Sequence, residues 1–148
     1  MLLLTFKVGP ESVGLDIRRV REVIPWVALQ PLNGQPAWLA GSFVYHGRIV
    51  PVIDLFRLTG RGDCPIHLSS RIILLPLEGD GLFGILAAQV AELRDVPETL
   101  AVPAAAGNEV NLGTAVADGA AILRLLDPDH LLDVEGRTRL ALAAGVAG

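Results

Sequence analysis

Turn-forming residues punctuate this chain throughout, and the apolar runs beside them read at strand length. Gly9-Pro10-Glu11, Asn33-Gly34, His46-Gly47, the stretch Glu78–Gly81 and Asp118-Gly119 supply the punctuation. Leu2, Leu4, Phe6 and Val8 alternate with Thr5 and Lys7, the two-residue period of a half-buried strand. Val13, Leu15 and Ile17 alternate with Ser12, Gly14 and Asp16, which makes the second arm of a hairpin. A short strand over Glu22–Val27 follows, edged by Pro25. Gly41–Tyr45 and Arg48–Ile53 flank His46-Gly47, a tight two-residue turn in which glycine supplies the positive φ. Arg71–Leu77 is a continuous apolar run, expected of a strand buried on both faces, and Leu82–Val90 is its returning partner. Val110–Val116 and Ala120–Leu125 form a last hairpin around Asp118-Gly119.

Helical signals are confined to single turns. Asp16 can cap a turn through Arg21. Asp54 stands at a cap position before Leu55 and Leu58, and Gly60 closes that turn. Asp127-Pro128-Asp129 offers a cap, a proline at the first helical position and an acid in the first turn, with Leu131 and Leu132 as anchors. Gln30–Pro36 and Val96–Asn108 read as loose connections. The expected class is therefore all-β, eight to ten short strands with helical turns. Two small barrels sharing a hydrophobic core suit that count better than one broad sheet. We expect a single domain over 1–134, divided near 61–70 where the chain is polar and turn-rich. An Ala-rich tail over 135–148 reads as a loose helix or disorder.

Composition narrows the function classes. A chain of 148 residues with 51% hydrophobic and 19% charged residues is folded, and at that length it buries roughly 68–70% of its unfolded surface. Twelve Lys and Arg beside 16 Asp and Glu give a net charge of −4, the wrong balance for phosphate neutralisation, so no nucleic-acid partner is expected. Cys64 is alone and forms no internal disulfide. The apolar start over Met1–Phe6 is shorter than a signal sequence, and no apolar run reaches the roughly 18–20 residues of a membrane-spanning helix. A cytoplasmic protein without direct membrane insertion is expected.

Each chemical motif has a simpler explanation. Gly79-Asp80-Gly81-Leu82-Phe83-Gly84 has the glycine spacing of a dinucleotide site, but that site needs a helix N-terminus where Leu82–Leu86 reads as strand. His46, His67 and His130 have no metal-ligand spacing, with or without Cys64. Ser69 and Ser70 lack the glycine-flanked setting of an exposed nucleophile, and Asp54, Asp127 and Asp129 are explained as caps. No catalytic residue, cofactor or metal is expected. Arg18, Arg19, Arg21 and Glu22 read either as a solvated face or as a charged rim around an apolar groove of Val20, Val23 and Ile24. Trp26 and Trp38 read either as core or as interface anchors.

Several pieces in order resemble the CheW-like adaptor family of bacterial chemosensory systems. They are Val20-Arg21-Glu22-Val23-Ile24, Gly41, the run His46-Gly47-Arg48-Ile49-Val50-Pro51-Val52-Ile53-Asp54-Leu55, Gly84-Ile85-Leu86 with Val90, and Leu126-Asp127-Pro128-Asp129-His130-Leu131-Leu132. Together they span about Leu4 to Leu132. The resemblance implies two intertwined five-stranded barrels of Src-homology-3 type. It also implies a non-enzymatic adaptor that couples chemoreceptor cytoplasmic tips to the regulatory domain of a chemotaxis-type histidine kinase, in receptor arrays at the inner membrane. Two departures stand out. Where the family has Asn-Leu-Arg-Gly, this chain has Val44-Tyr45-His46-Gly47, so a histidine with fewer donors replaces arginine. Ala88 stands where the family carries aspartate. Both remove charge from places a partner could read, which leaves room for a pathway other than flagellar chemotaxis, such as twitching or surface sensing.

The expected partner-binding set is Val20, Glu22, Ile24, Gly41, His46 and Arg48, with Gly41 allowing another backbone to approach closely. The alternatives are a small-molecule-binding or enzymatic β-barrel, and a regulatory domain severed from a kinase. The first would need convergent polar groups in a concave pocket.

Overall fold

Leu3, Leu4, Thr5 and Phe6 are buried in succession, so the first strand is covered on both faces rather than half-buried as its alternation suggests. Leu4, Phe6 and Val8 enter the main core, while Leu3 joins a second, smaller core with Val96, Val116 and Leu123. The computed structural model describes residues 1–77, 79–91, 93–97, 101–102, 112–119 and 121–145.

The strands are β1 (Leu2–Val8), β2 (Glu11–Asp16), β3 (Glu22–Pro25), β4 (Leu39–Tyr45), β5 (Arg48–Asp54) and β6 (Arg71–Pro76). There follow β7 (Leu82–Ala87), β8 (Leu93–Asp95), β9 (Ala101–Val102), β10 (Thr114–Asp118) and β11 (Ala121–Leu125). Helix α1 (Leu55–Leu58) follows β5, and α2 (Val134–Ala143) ends the described chain. One sheet has the order β8-β1-β2-β11-β10-β9 and the other β3-β6-β7-β5-β4. Most neighbours are antiparallel; β11 runs parallel to β2, and β5 parallel to β7. This is the expected all-β fold of two small barrels on a shared core, with the two-residue β9 extending one of them to six strands.

The main core takes Leu4, Phe6, Val13 and Leu15 from the first sheet and Val50, Val52, Ile53, Ile72, Ile73 and Ile85 from the second. Each fully buried aliphatic side chain contributes about 1.5–3 kcal/mol, so this shared interior rather than any turn holds the barrels together.

Several expectations are corrected. The divide expected near 61–70 joins β5 to β6 inside one sheet; the chain changes sheets between β2 and β3 and again between β7 and β8. The expected strand Leu82–Val90 stops at Ala87, because Gln89 takes a left-handed backbone with φ of 50°, and β8 then pairs with β1. The strand expected over Glu22–Val27 ends at Pro25. The tail is ordered as α2, capped by Asp133, whose carboxylate accepts from the Gly136 N–H at 2.7 Å, and anchored by buried Leu140. Helices are thus not limited to single turns. Most of the expected connection Val96–Asn108, the start of Val110–Val116, Ala120 and the last three tail residues lie outside the described residues.

The glycine motif is a turn, with Leu77 N–H donating to the Gly81 carbonyl and β7 following directly. Gly84 is a packing glycine. A Cβ there would stand 2.7 Å from the Ile72 side chain across the β6–β7 pair.

Candidate functional site

The six expected partner-binding residues fall into two groups at the two ends of the five-stranded sheet. Val20, Glu22 and Ile24 lie on or beside β3, which pairs with β6 through Glu22↔Leu74 and Ile24↔Ile72. Gly41, His46 and Arg48 belong to the β4–β5 hairpin at the other edge. The segment between β3 and β4 links the groups: Gln30 exchanges two backbone hydrogen bonds with Ser42, at 2.8 and 2.9 Å.

On the β3 side the charged cluster divides by use. Asp16 accepts the Arg18 backbone N–H and pairs with the Arg18 guanidinium at 2.7 Å, capping a 3₁₀ turn over Ile17–Arg19 that ends before Arg21. That side-chain hydrogen bond, aided by the backbone bond and the guanidinium charge, outweighs partial burial and lowers the Asp16 pKa. Arg19 pairs with Asp129 at 2.9 Å, tying this turn to the one over Pro128–His130. Arg21 and Glu22 are exposed and have no ion pair among the described residues. They flank Val20, Val23 and Ile24, which are only partly buried against the main core. Trp26 and Trp38 are also half-buried there, so both serve the core while keeping some exposed surface.

On the hairpin side, His46 and Gly47 have φ of 49° and 78°, the two positive values of a type I′ turn. Histidine is among the few residues that tolerate this region. Its ring packs edge-on against Tyr45, 4.2 Å between centroids, and Tyr45 meets Phe43 at 6.4 Å. Arg48 is exposed directly across the turn from Tyr45. One pair beyond, Val44 and Ile49 face each other while 70% and 53% exposed, an apolar patch that the sequence reading missed. Its signal was available: apolar residues at the outward parity of a hairpin that must be an edge.

Gly41 has a different role from the expected one. A Cβ there would stand 2.6 Å from the Gln30 carbonyl oxygen and 2.9 Å from the Leu29 side chain, and its φ is 156°. The backbone that approaches it is the chain's own. Ala88 is likewise corrected: at 2% exposure its side chain is out of a partner's reach, and its carbonyl accepts the Lys7 N–H.

The remaining candidates are structural. Asp54 is buried; one oxygen accepts the N–H groups of Phe56 and Arg57, and the other accepts the Cys64 N–H at 3.0 Å. Burial, reinforced by the Asp54 charge, pushes the Cys64 thiol up to about 12, so it stays protonated and inert at neutral pH. Asp127 accepts the Asp129 N–H and contacts His130 Nδ1 at 2.6 Å. Among the described residues no cluster of three or more His, Cys, Asp and Glu could hold a metal ion. No helix among them is long and apolar enough to cross a membrane.

The arrangement is an exterior with apolar groups beside charges that have no ion pair among the described residues, at both ends of one sheet. A family model for the CheW-like domain matches residues 2–136. The chain belongs to the CheW-like family. Among curated relatives of this CheW-like chain, Protein FrzA of Myxococcus xanthus is 29% identical over 118 residues, covering 77% of this chain and 73% of FrzA. Chemotaxis protein CheW of Treponema pallidum is 26% identical over 148 residues, covering 94% and 86%. The crystal structure of the scaffolding protein TtCheW from Thermoanaerobacter tengcongensis superposes with a TM-score of 0.81 at 25% identity, over 91% of this chain and 89% of that one. The adaptor resemblance and the barrel architecture read from the sequence agree with these relatives.

Proposed function

We propose that this chain is a non-enzymatic adaptor that couples chemoreceptor cytoplasmic tips to the regulatory domain of a chemotaxis-type histidine kinase, within receptor arrays at the inner membrane. The observation that carries the proposal is the CheW-like match across residues 2–136, which takes in both barrels and both edge groups. Recognition is by surface: Val20, Glu22 and Ile24 act at one sheet edge, and His46 with Arg48 at the other, helped by Val44 and Ile49. A contact of standard size buries roughly 800 Å² per partner. Individually weak contacts become effective when receptors and kinases are arrayed, because linkage raises effective concentration. With Val44 and His46 replacing polar and cationic family residues, the hairpin suits a receptor outside flagellar chemotaxis.

Glu22→Lys and His46→Glu test this reading. Both side chains are exposed; Glu22→Lys keeps the wild-type melting temperature, whereas His46→Glu lowers it modestly because a glutamate sits less well at the positive φ of the turn, and the variant is assayed where it is folded. Each weakens pull-down of the kinase or of a receptor fragment. Normal binding by both variants would show that these edges are not the recognition surface.

A further inference from the structure

The connection between β3 and β4 is held at both ends and open in the middle. Gln30 pairs with Ser42 at one end. At the other, the Pro36 carbonyl accepts the Leu39 N–H at 3.0 Å and the Ala37 carbonyl accepts from the Arg57 guanidinium at 3.1 Å. Leu32 packs against the main core just before the tip. Between these anchors Asn33, Gly34 and Gln35 are exposed. Asn33 is the one asparagine among the described residues, and a glycine follows it. Gly34 has a φ of 75°, and a Cβ built there would meet no atom within 4 Å. Among the described residues neither the Asn33 carboxamide nor the Gly34 N–H has a hydrogen bond.

An asparagine Cγ and the backbone nitrogen of the next residue can close a five-membered ring, so their reaction is intramolecular and their effective concentration is high. Three things restrain it: a side chain on the following residue, a hydrogen bond that occupies the nitrogen, and a helix or strand that fixes the backbone. Glycine removes the first, and the exposed tip supplies neither of the others. We propose that Asn33 is a site of spontaneous deamidation. Solvent base takes the Gly34 N–H proton, and the nitrogen attacks Asn33 Cγ. The new N–Cγ bond forms as the Cγ–Nδ2 bond breaks, and the side-chain nitrogen takes a proton from solvent and leaves as ammonia. Water then opens the cyclic imide at either carbonyl, which yields an aspartyl or an isoaspartyl linkage. The net change is amide plus water to carboxylate plus ammonium, with no enzyme and no oxidant. It adds one negative charge to the chain's net −4. The anchors on either side keep the change local, on the connection that joins the two edge groups. The reaction does not depend on which partner those edges meet.

The test is incubation of the purified full chain at neutral and at mildly alkaline pH, beside a synthetic peptide of the tryptic segment Glu22–Arg48 as the unstructured reference. Timed samples are digested under mildly acidic conditions, and the amide, aspartyl and isoaspartyl forms of that segment are separated and identified by mass spectrometry. The native chain should convert at position 33 at a rate within tenfold of the peptide, faster at the higher pH, with both acid forms present. Asn33→Gln should abolish the conversion and leave the melting temperature unchanged, because the side chain is exposed. A native rate more than tenfold below the peptide's would mean that the fold adds at least about 1.4 kcal/mol to the barrier, and would overturn the proposal. So would acid formation at Gln30 or Gln35 in place of Asn33.

Discussion

Asp54 is 1% exposed, yet it reaches three backbone N–H groups and lies 3.4 Å from the Arg57 guanidinium. Its capping role was readable from Asp54 standing before Leu55 and Leu58. The bond to Cys64 N–H was not, because it closes a ten-residue loop that no local pattern encodes. Asp54→Ala leaves those donors buried and unmet, and it should lower unfolding free energy in urea by about 2–3 kcal/mol. Asp127 gives a pH-dependent counterpart. Burial pushes its pKa up, but hydrogen bonds from His130 and the Asp129 N–H, with the positive charges of His130 and Arg19, outweigh this and hold it below the ordinary value. A carboxyl whose folded pKa is depressed stabilises the fold above its unfolded pKa, and that contribution disappears as pH falls through the folded one. The stability gap between wild type and Asp127→Asn should therefore be full at about pH 5 and close by about pH 2. A gap that stays constant over that range would mean the Asp127 charge does not matter.

The β4–β5 hairpin shows which elements a sequence reveals. Its ends and turn are set by neighbours in the chain, since only a I′ turn with His46 and Gly47 closes the Tyr45↔Arg48 pair without splaying the strands. Gly41 was noticed for the right property and given the wrong partner, because the Leu29–Gln30 approach depends on tertiary folding. Gly41→Ala should lower stability by about 1–3 kcal/mol, and any loss of partner binding should track that loss. β8 escaped notice because Leu93–Asp95 is three exposed residues whose pairing with β1 lies about ninety positions away along the chain. α2 was equivocal because its pattern is poor: Val134 and Leu142 are exposed, and Leu140 is its one large buried side chain. Leu140→Ala should cost about 2–4 kcal/mol, measured by thermal or urea unfolding, if α2 is part of the folded core.

At the scale of the whole molecule, the sequence showed many short strands but not how the chain divides them. β1 and β2 start one barrel, β3–β7 build the other, and β8–β11 return to complete the first. The return depends on the parallel pairing of β11 with β2, a contact between residues more than a hundred positions apart. That interleaving ties the two barrels together over one shared core. The sequence motifs around Val50–Leu55 and Leu126–Leu132 were legible because they combine turn chemistry with buried positions. The Gln30–Ser42 bridge and the β11–β2 pairing were not, because each joins segments that no local pattern brings together. We propose that the outside of this body joins a receptor to a kinase. Co-purification of the tagged full chain from its own host tests it directly. Chemoreceptors and a chemotaxis-type histidine kinase should come with the wild type and be lost with the folded Glu22→Lys, His46→Glu double variant. Recovery of neither protein with the wild type, or their undiminished recovery with the double variant, would contradict it.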